Sequence, residues 1–361
     1  MRKTFLACTA VLVLSHALPG AARTRPAGTY SIVGFDPVTG DLGVAVQSRF
    51  LAVGVVVPFA KAGVGAIASQ CYQNASYGPR GFELLEKGLS PKEVVAELIR
   101  SDPERDSRQV GVVDARGRSF TYTGKNCPEW KGSRHGPNYA IQGDIVAGEA
   151  VVVNMEKAFL NTTGSLADRL IAALEAGEAA VGDKRGKESS ALVVERPKGG
   201  MSGYTDRFID IRVDDHPDPI AELKRIYRLW EGNYLPWPRL KTAEDFARAG
   251  KAEAARVERE RALAPLERDI RANPNNAMGL AGFASLLTDF NLDPTRAVEL
   301  AERAVKLAPE DVFCRITLAE AYFRKGNVTR AIEIETELVR EYPGDKYFVE
   351  TLERFKAGLK P

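Results

Sequence analysis

Between residues 29 and 70 the hydrophobic positions come in short, β-branched runs separated by turn residues. Residues 29–36 and 42–48 flank Pro37, Gly40 and Asp41, and the pattern predicts two strands joined as a hairpin. Apolar runs at 53–59 and 64–69 predict two more strands, with Gly63 and Gly65 marking a bend or a close backbone approach. The period then lengthens. Residues 78–88 carry Phe82, Leu84 and Leu85 and stop at Gly88, as a helix does. A second helix starts at Ser90 and Pro91, an N-cap followed by a first-turn proline, and buries Val94, Val95, Leu98 and Ile99.

Strand patterns resume at 108–114 and 119–123 around a turn at Gly117, and again at 139–146. Helical periods follow at 149–160 and 166–176, strands at 190–196 and 207–213, and a helix at 219–230. Helices arrive in pairs and strands in hairpins. A doubly wound parallel sheet would alternate them singly, so the order predicts an α+β fold: two antiparallel sheets packed together with helix pairs outside.

Residues 232–244, with Pro236 and Pro238, read as a linker. Beyond it, residues 245–361 turn rich in Ala, Glu, Arg and Leu with a helical period, and prolines recur at 274, 309 and 343. Ala319, Tyr322, Gly326 and Ala331 fall where tetratricopeptide repeats place a small residue, an aromatic, the turn glycine and a second small residue. An all-α, tetratricopeptide-like repeat region is therefore expected. Its first repeat departs from the pattern, with Asn291 to Pro294 replacing the glycine turn.

The other end of the chain has a different character. Arg2 and Lys3 precede an apolar run at 5–18, then Pro19 and the small residues Gly20, Ala21 and Ala22. This is the form of a secretory signal, so residues 1–22 are expected to be removed and the protein to act in the periplasm or outside the cell. A short leader, 23–28, would remain in front of a first domain at 29–231. The net charge of +2 gives no bulk attraction to nucleic acid or anionic lipid, and no later segment suggests a membrane span. With only three histidines, one of them in the leader, a histidine-built metal site is not expected. Beyond the leader stand Cys71, Cys127 and Cys314. Their spacing carries no metal pattern and favours three separate thiols. Cys71 and Cys127 are the only pair within the first domain that could bridge.

No nucleophile-elbow, phosphate-loop, zinc-protease or dinucleotide motif is present. What remains is Thr29, at the start of the first strand and preceded by Gly28. A threonine hydroxyl needs a base, and a free α-amine on the same residue, titrating near pH 8, can serve. Glycine before it removes a Cβ from the peptide bond that self-cleavage would strain.

The run from Thr29 to Gly54 resembles the opening of a family of uncharacterised bacterial proteins, domain-of-unknown-function family 1028, related to N-terminal-nucleophile (Ntn) hydrolases. The blocks at 77–81, 108–114, 142–143, 182–186 and 213–219 resemble it in the same order. The resemblance implies a four-layer αββα sandwich and an amidohydrolase that cleaves a small amide or peptide without a cofactor. Thr29 is the candidate nucleophile. Ser48 and Arg49, at the end of the second strand, and Asn74, as an oxyanion donor, complete the catalytic candidates; Gln70, Asp183 and Arg185 are candidates for substrate binding. Asp214, Asp215 and His216 are better explained by capping of the following helix, from Asp215 or Asp218, than by a metal. The alternative function is a non-catalytic exported scaffold that binds a protein partner through its repeats. Open strand edges and repeats also make a homodimer a candidate assembly.

Overall fold

The computed structural model describes residues 28–358, so the leader readings at 1–22 and 23–27 lie outside the described residues. The strands are β1 (Thr29–Phe35), β2 (Leu42–Ser48), β3 (Pro58–Lys61), β4 (Gly65–Cys71), β5 (Arg108–Asp114), β6 (Ser119–Thr123), β7 (Lys131–Gly136), β8 (Tyr139–Asp144), β9 (Ser189–Glu195) and β10 (Arg207–Val213). They form a six-stranded sheet in the order β10-β9-β2-β1-β8-β7 and a four-stranded sheet in the order β3-β4-β5-β6. Every pairing is antiparallel.

Helices α1 (Tyr77–Glu86) and α2 (Pro91–Arg100) cover the outer face of the smaller sheet, where Tyr77, Val94 and Leu98 pack on Ile67, Val110 and Val112. Ser90 caps α2, as read from the sequence, and does so through a reciprocal pair with Glu93. Helices α3 (Glu149–Asn161), α4 (Leu166–Ala179) and α5 (Pro219–Asn233) cover the larger sheet, burying Met155, Phe159, Leu170 and Leu223 against Tyr30, Ile32, Ile141 and Leu192. The two sheets meet face to face over Val33, Val44, Val46, Ala66, Ala68 and Val113. The layers thus run helices, sheet, sheet, helices. All seven residues of β1 and of β2 are buried, which is why neither strand alternates cleanly between apolar and polar.

Three local readings are corrected. The apolar run at 53–59 begins as a tight helical turn, Val53–Val55, before β3. Gly54 lies so close to β9 that a Cβ there would sit 2.7 Å from that of Ala191. Residues 131–136, which carry no strand pattern in the sequence, are the edge strand β7. The Trp130 ring packs on this strand at Gly132, where a Cβ would lie 2.4 Å from the ring. The residues read as a linker, 232–244, are mostly helix α6 (Pro236–Arg248), whose prolines occupy the first turn, where no backbone N–H is needed.

Beyond α6 the chain is helical throughout the described residues: α7 (Ala252–Ala272), α8 (Ala277–Asp289), α9 (Pro294–Leu307), α10 (Val312–Lys325), α11 (Val328–Glu341) and α12 (Lys346–Lys356). Asn276, Asp293, Asp311, Asn327 and Asp345 each cap a helix start with a side-chain oxygen, and Gly326 takes a left-handed φ of 92° after α10. A buried ionic cluster ties this region to the sheets. Arg196, after β9, grips Asp41 with two bonds of 2.6 and 2.8 Å and reaches Glu258 of α7 at 2.6 Å. Glu258 also accepts from Arg239 of α6 at 3.1 Å, and Arg261 of α7 reaches Asp36 at 3.1 Å. Asp36 directly follows β1, at the turn that leads to β2. It does accept the Val38 amide, and it is also a docking point for α7.

Candidate functional site

The space between the sheets changes character along β1. At the Phe35 and Leu42 end it is apolar, whereas at the Thr29 and Ser48 end it holds buried Ser31, Gln70, Gln109, Gln142 and Asp144. The register explains the gathering. Thr29 lies directly opposite Ser48 on one side and Asp144 on the other, so the three side chains share a face. The alternate positions Tyr30 and Ile32 point to the helices.

Thr29 is 4% exposed, and its Oγ1 lies 3.0 Å from Ser48 Oγ. Ser48 Oγ in turn donates to the carbonyl oxygen of Gly28 at 2.6 Å. A serine hydroxyl has a single hydrogen, and a carbonyl can only accept. In the Thr29–Ser48 pair the donor is therefore Thr29. The Gly28 oxygen also accepts from Arg185 Nη2 at 3.1 Å.

Asp183 holds Arg185 in place. Its two oxygens accept from Arg185 Nε at 3.0 Å, Nη2 at 2.5 Å and backbone N at 2.9 Å, and from the Arg49 amide at 3.2 Å. The Asp183 side chain has no exposed surface. It is delivered by a bridge from Asp183 to Val146, just past β8. The Arg49 side chain stays at the rim, half exposed, donating to the Arg185 carbonyl at 3.0 Å and lying 3.4 Å from Glu188.

Behind Thr29, Gln70 Nε2 serves the Thr29 carbonyl at 2.8 Å, Gln109 Oε1 at 2.8 Å and Asp144 Oδ1 at 3.1 Å. Its Oε1 accepts from Ser31 Oγ at 2.5 Å, and Ser31 accepts from Gln142 Nε2 at 2.7 Å. Gln142 fits because Gly111 faces it; a Cβ there would lie 2.1 Å from its oxygen. Asp144 is 1% exposed, and its Oδ2 has no hydrogen-bond partner among the described residues. Burial, reinforced by Asp183 and opposed by Gln70 and Arg185, raises its carboxyl to about 8, so the group is neutral near pH 7.

Six of the seven candidates read from the sequence, Thr29, Ser48, Arg49, Gln70, Asp183 and Arg185, thus gather around Gly28 and Thr29, Arg49 through its backbone amide alone. Asn74 does not take part in these contacts. Its amide donates to Asp102 Oδ2 at 2.9 Å, in a separate cluster with Tyr77 and Arg108. Asp102 is drawn below the usual carboxylate range because these donors outweigh its burial. Asp144, Gln109 and Gln142 were missed as site residues. The signal available was the run of inward polar positions at 142 and 144 in an otherwise apolar strand. Among the described residues, no group of His, Cys, Asp and Glu could hold a metal ion. His216 Nδ1 accepts the Asp218 amide at 2.9 Å, and Asp218 pairs with Lys187 rather than capping α5.

Cys71, directly after Gln70, is bonded to Cys127, so two of the three expected thiols form a bridge. Cys314 is free and buried. The bridge ties the end of β4 to the segment before β7.

The model of a family described as "Family of unknown function (DUF1028)" matches residues 29–223, more than half of the chain, and the chain belongs to that family. Among solved structures the chain is similar to that of protein SPO2555 from Silicibacter pomeroyi, described with the same family. The two are 29% identical, with a TM-score of 0.53, over 59% of this chain and 94% of the other. No functionally curated protein matches.

Proposed function

With its family described only as one of unknown function, we propose from the site itself that this chain is an Ntn-type amidohydrolase with Thr29 as nucleophile. One observation carries the reading. The carbonyl oxygen of the peptide bond before Thr29 sits between two donors, Ser48 Oγ and Arg185 Nη2, while the Thr29 hydroxyl points its proton at Ser48. Two such donors stabilise the charge that develops on a carbonyl oxygen under attack.

The first turnover is then cleavage of the chain itself. Thr29 Oγ1 bonds to the Gly28 carbonyl carbon. Its proton passes to Ser48, whose own proton goes to the Gly28 oxygen. Collapse re-forms the carbonyl and breaks the C–N bond as the proton on the Gly28 oxygen passes to the Thr29 nitrogen, leaving an ester on Oγ1 and a free Thr29 amine, and water hydrolyses the ester. In later turnovers that amine takes the hydroxyl proton and returns it to the leaving group, with no cofactor. Gln70, holding the Thr29 carbonyl from behind, and Asp183, holding Arg185, are the positioning residues.

The protein is proposed to be exported, and residues 245–361 to be a tetratricopeptide-like array. A groove of about 530 Å³ lined by α8, α10 and α12, with Phe313, Ile316, Tyr347, Arg324 and Arg354, supports a second, non-catalytic reading in which the array docks a protein partner. The mature N-terminus decides between the readings. Intact mass and terminal sequencing should find a chain starting at Thr29, and a Thr29→Ala control that stops earlier. A folded wild-type chain that still carries Gly28 removes the free-amine mechanism and leaves the scaffold.

A further inference from the structure

The space beside Gly28 bears on substrate choice, because it does not admit a side chain. A Cβ on Gly28 would lie 2.7 Å from both Cγ and Oδ2 of Asp183 and 2.8 Å from Oδ1. Such distances are impossible for real atoms unless something shifts.

Asp183 is not the free end of a flexible side chain. Its carboxylate is fully buried and pinned by the Arg49 amide and by the amide and guanidinium of Arg185. Moving it away from Gly28 would break the pair that aims Arg185 Nη2 at the Gly28 carbonyl oxygen. The wall and the carbonyl donor are one device.

We propose that the acyl pocket of this enzyme is selective for an unbranched α-carbon, so that its substrates are glycyl-type amides, and that Asp183 is the residue that sets this preference. The inference rests on the amidohydrolase reading: whatever Thr29 attacks must place its acyl carbonyl where that of Gly28 lies, between Ser48 and Arg185. A substrate α-carbon then falls where the Gly28 Cα lies, and an L side chain on it meets the Asp183 carboxylate. Acylation joins the glycyl carbonyl carbon to Thr29 Oγ1 and releases the amine, which leaves with the hydroxyl proton. Water then frees the glycyl carboxylate and restores the hydroxyl.

The test has two readouts on the full chain. The first is cleavage before Thr29, followed by intact mass, with Gly28 or with Gly28→Ala. The second is hydrolysis of N-acetylglycine anilide and N-acetyl-L-alanine anilide by the processed protein. Each is run in three backgrounds: wild type, Asp183→Asn and Asp183→Ser. Overpacking of this kind slows the alanine form by about 10- to 100-fold in wild type. Asp183→Asn, with nearly the same volume, keeps the glycine-over-alanine ratio even where the overall rate falls. Asp183→Ser opens the wall and brings the ratio towards one. Because each background is scored as a ratio, a variant that is merely less active still reports.

Equal rates on the two anilides in wild type overturn the glycyl preference while leaving the hydrolase reading standing. A ratio unchanged by Asp183→Ser removes Asp183 as its cause. Absence of both chain cleavage and anilide hydrolysis in wild type removes the hydrolase reading and this inference with it.

Discussion

Asp144 places a neutral acid beside the proposed nucleophile, and the cost of keeping it there is measurable. The perturbation is Asp144→Asn, made in a Thr29→Ala background so that no new amine forms next to it. Asparagine matches the neutral acid in shape and keeps an oxygen for the Gln70 amide to donate to. The carboxyl titrates near its ordinary 3.8 in the unfolded chain and about 8 in the folded one, because burial disfavours its charge. Between those values the unfolded chain has released a proton that the folded chain keeps. Stability from this group is therefore fully present below the unfolded value and is lost as the pH rises towards 8, at about 1.4 kcal/mol per pH unit. From about pH 5 to about pH 8 the acid-bearing chain loses roughly 3–4 kcal/mol that its asparagine partner keeps. Urea unfolding of both chains at the two pH values gives the number. Taking the difference between them cancels every other titrating group. A gap that grows by less than about 1 kcal/mol would refute the claim that Asp144 is held neutral by burial, since one pKa unit alone is worth about 1.4 kcal/mol.

Other outcomes follow from the same geometry. Ser48→Ala removes one donor to the Gly28 oxygen and the acceptor of the Thr29 proton, and should slow cleavage before Thr29 by about 100-fold or more, read by intact mass over time. Glu258→Gln strips the carboxylate shared by Arg196 and Arg239 and should cost about 3–5 kcal/mol in urea unfolding. Burial alone would raise this carboxyl, but Arg196 and Arg239 outweigh it and hold it low. Its contribution is thus full above the ordinary carboxylate value of 4.5 and should fade only as the pH drops below it, opposite in sign to Asp144. Cys71→Ser paired with Cys127→Ser opens a bridge across 56 residues of sequence and should lower stability by about 2–4 kcal/mol. The wild-type melting temperature should fall towards that of the double variant in reductant.

The hydrophobic period along the chain determined most of the elements and the order that implies two antiparallel sheets with helices outside. It did so because Val94, Val95 and Leu98 recur at helical spacing and Ile32 and Val33 stand in a β-branched run between turn residues, patterns that a window of ten residues displays. Thr29, Ser48 and Arg185 were legible as candidates because each lies at or near the end of a strand and bears chemistry. The sequence could not show what they are for each other. Thr29 meets Ser48 and Asp144 only because the β1–β2 and β1–β8 registers set all three in one row, and register is a long-range property. Asn74 and Gln70, both amides near the end of one strand run, were both site candidates from the sequence. One residue lies within β4 and faces the other sheet, and the other turns beyond it towards Asp102. The helix through Pro236 and Pro238 was hidden for a related reason: proline signals a break until the first turn is located, and here both prolines fall within that turn. Local side-chain chemistry is written in single residues. Burial of Asp144, the wall at Asp183 and the Arg196–Glu258 tie depend on which distant segments share one dry interior, and only tertiary packing decides that.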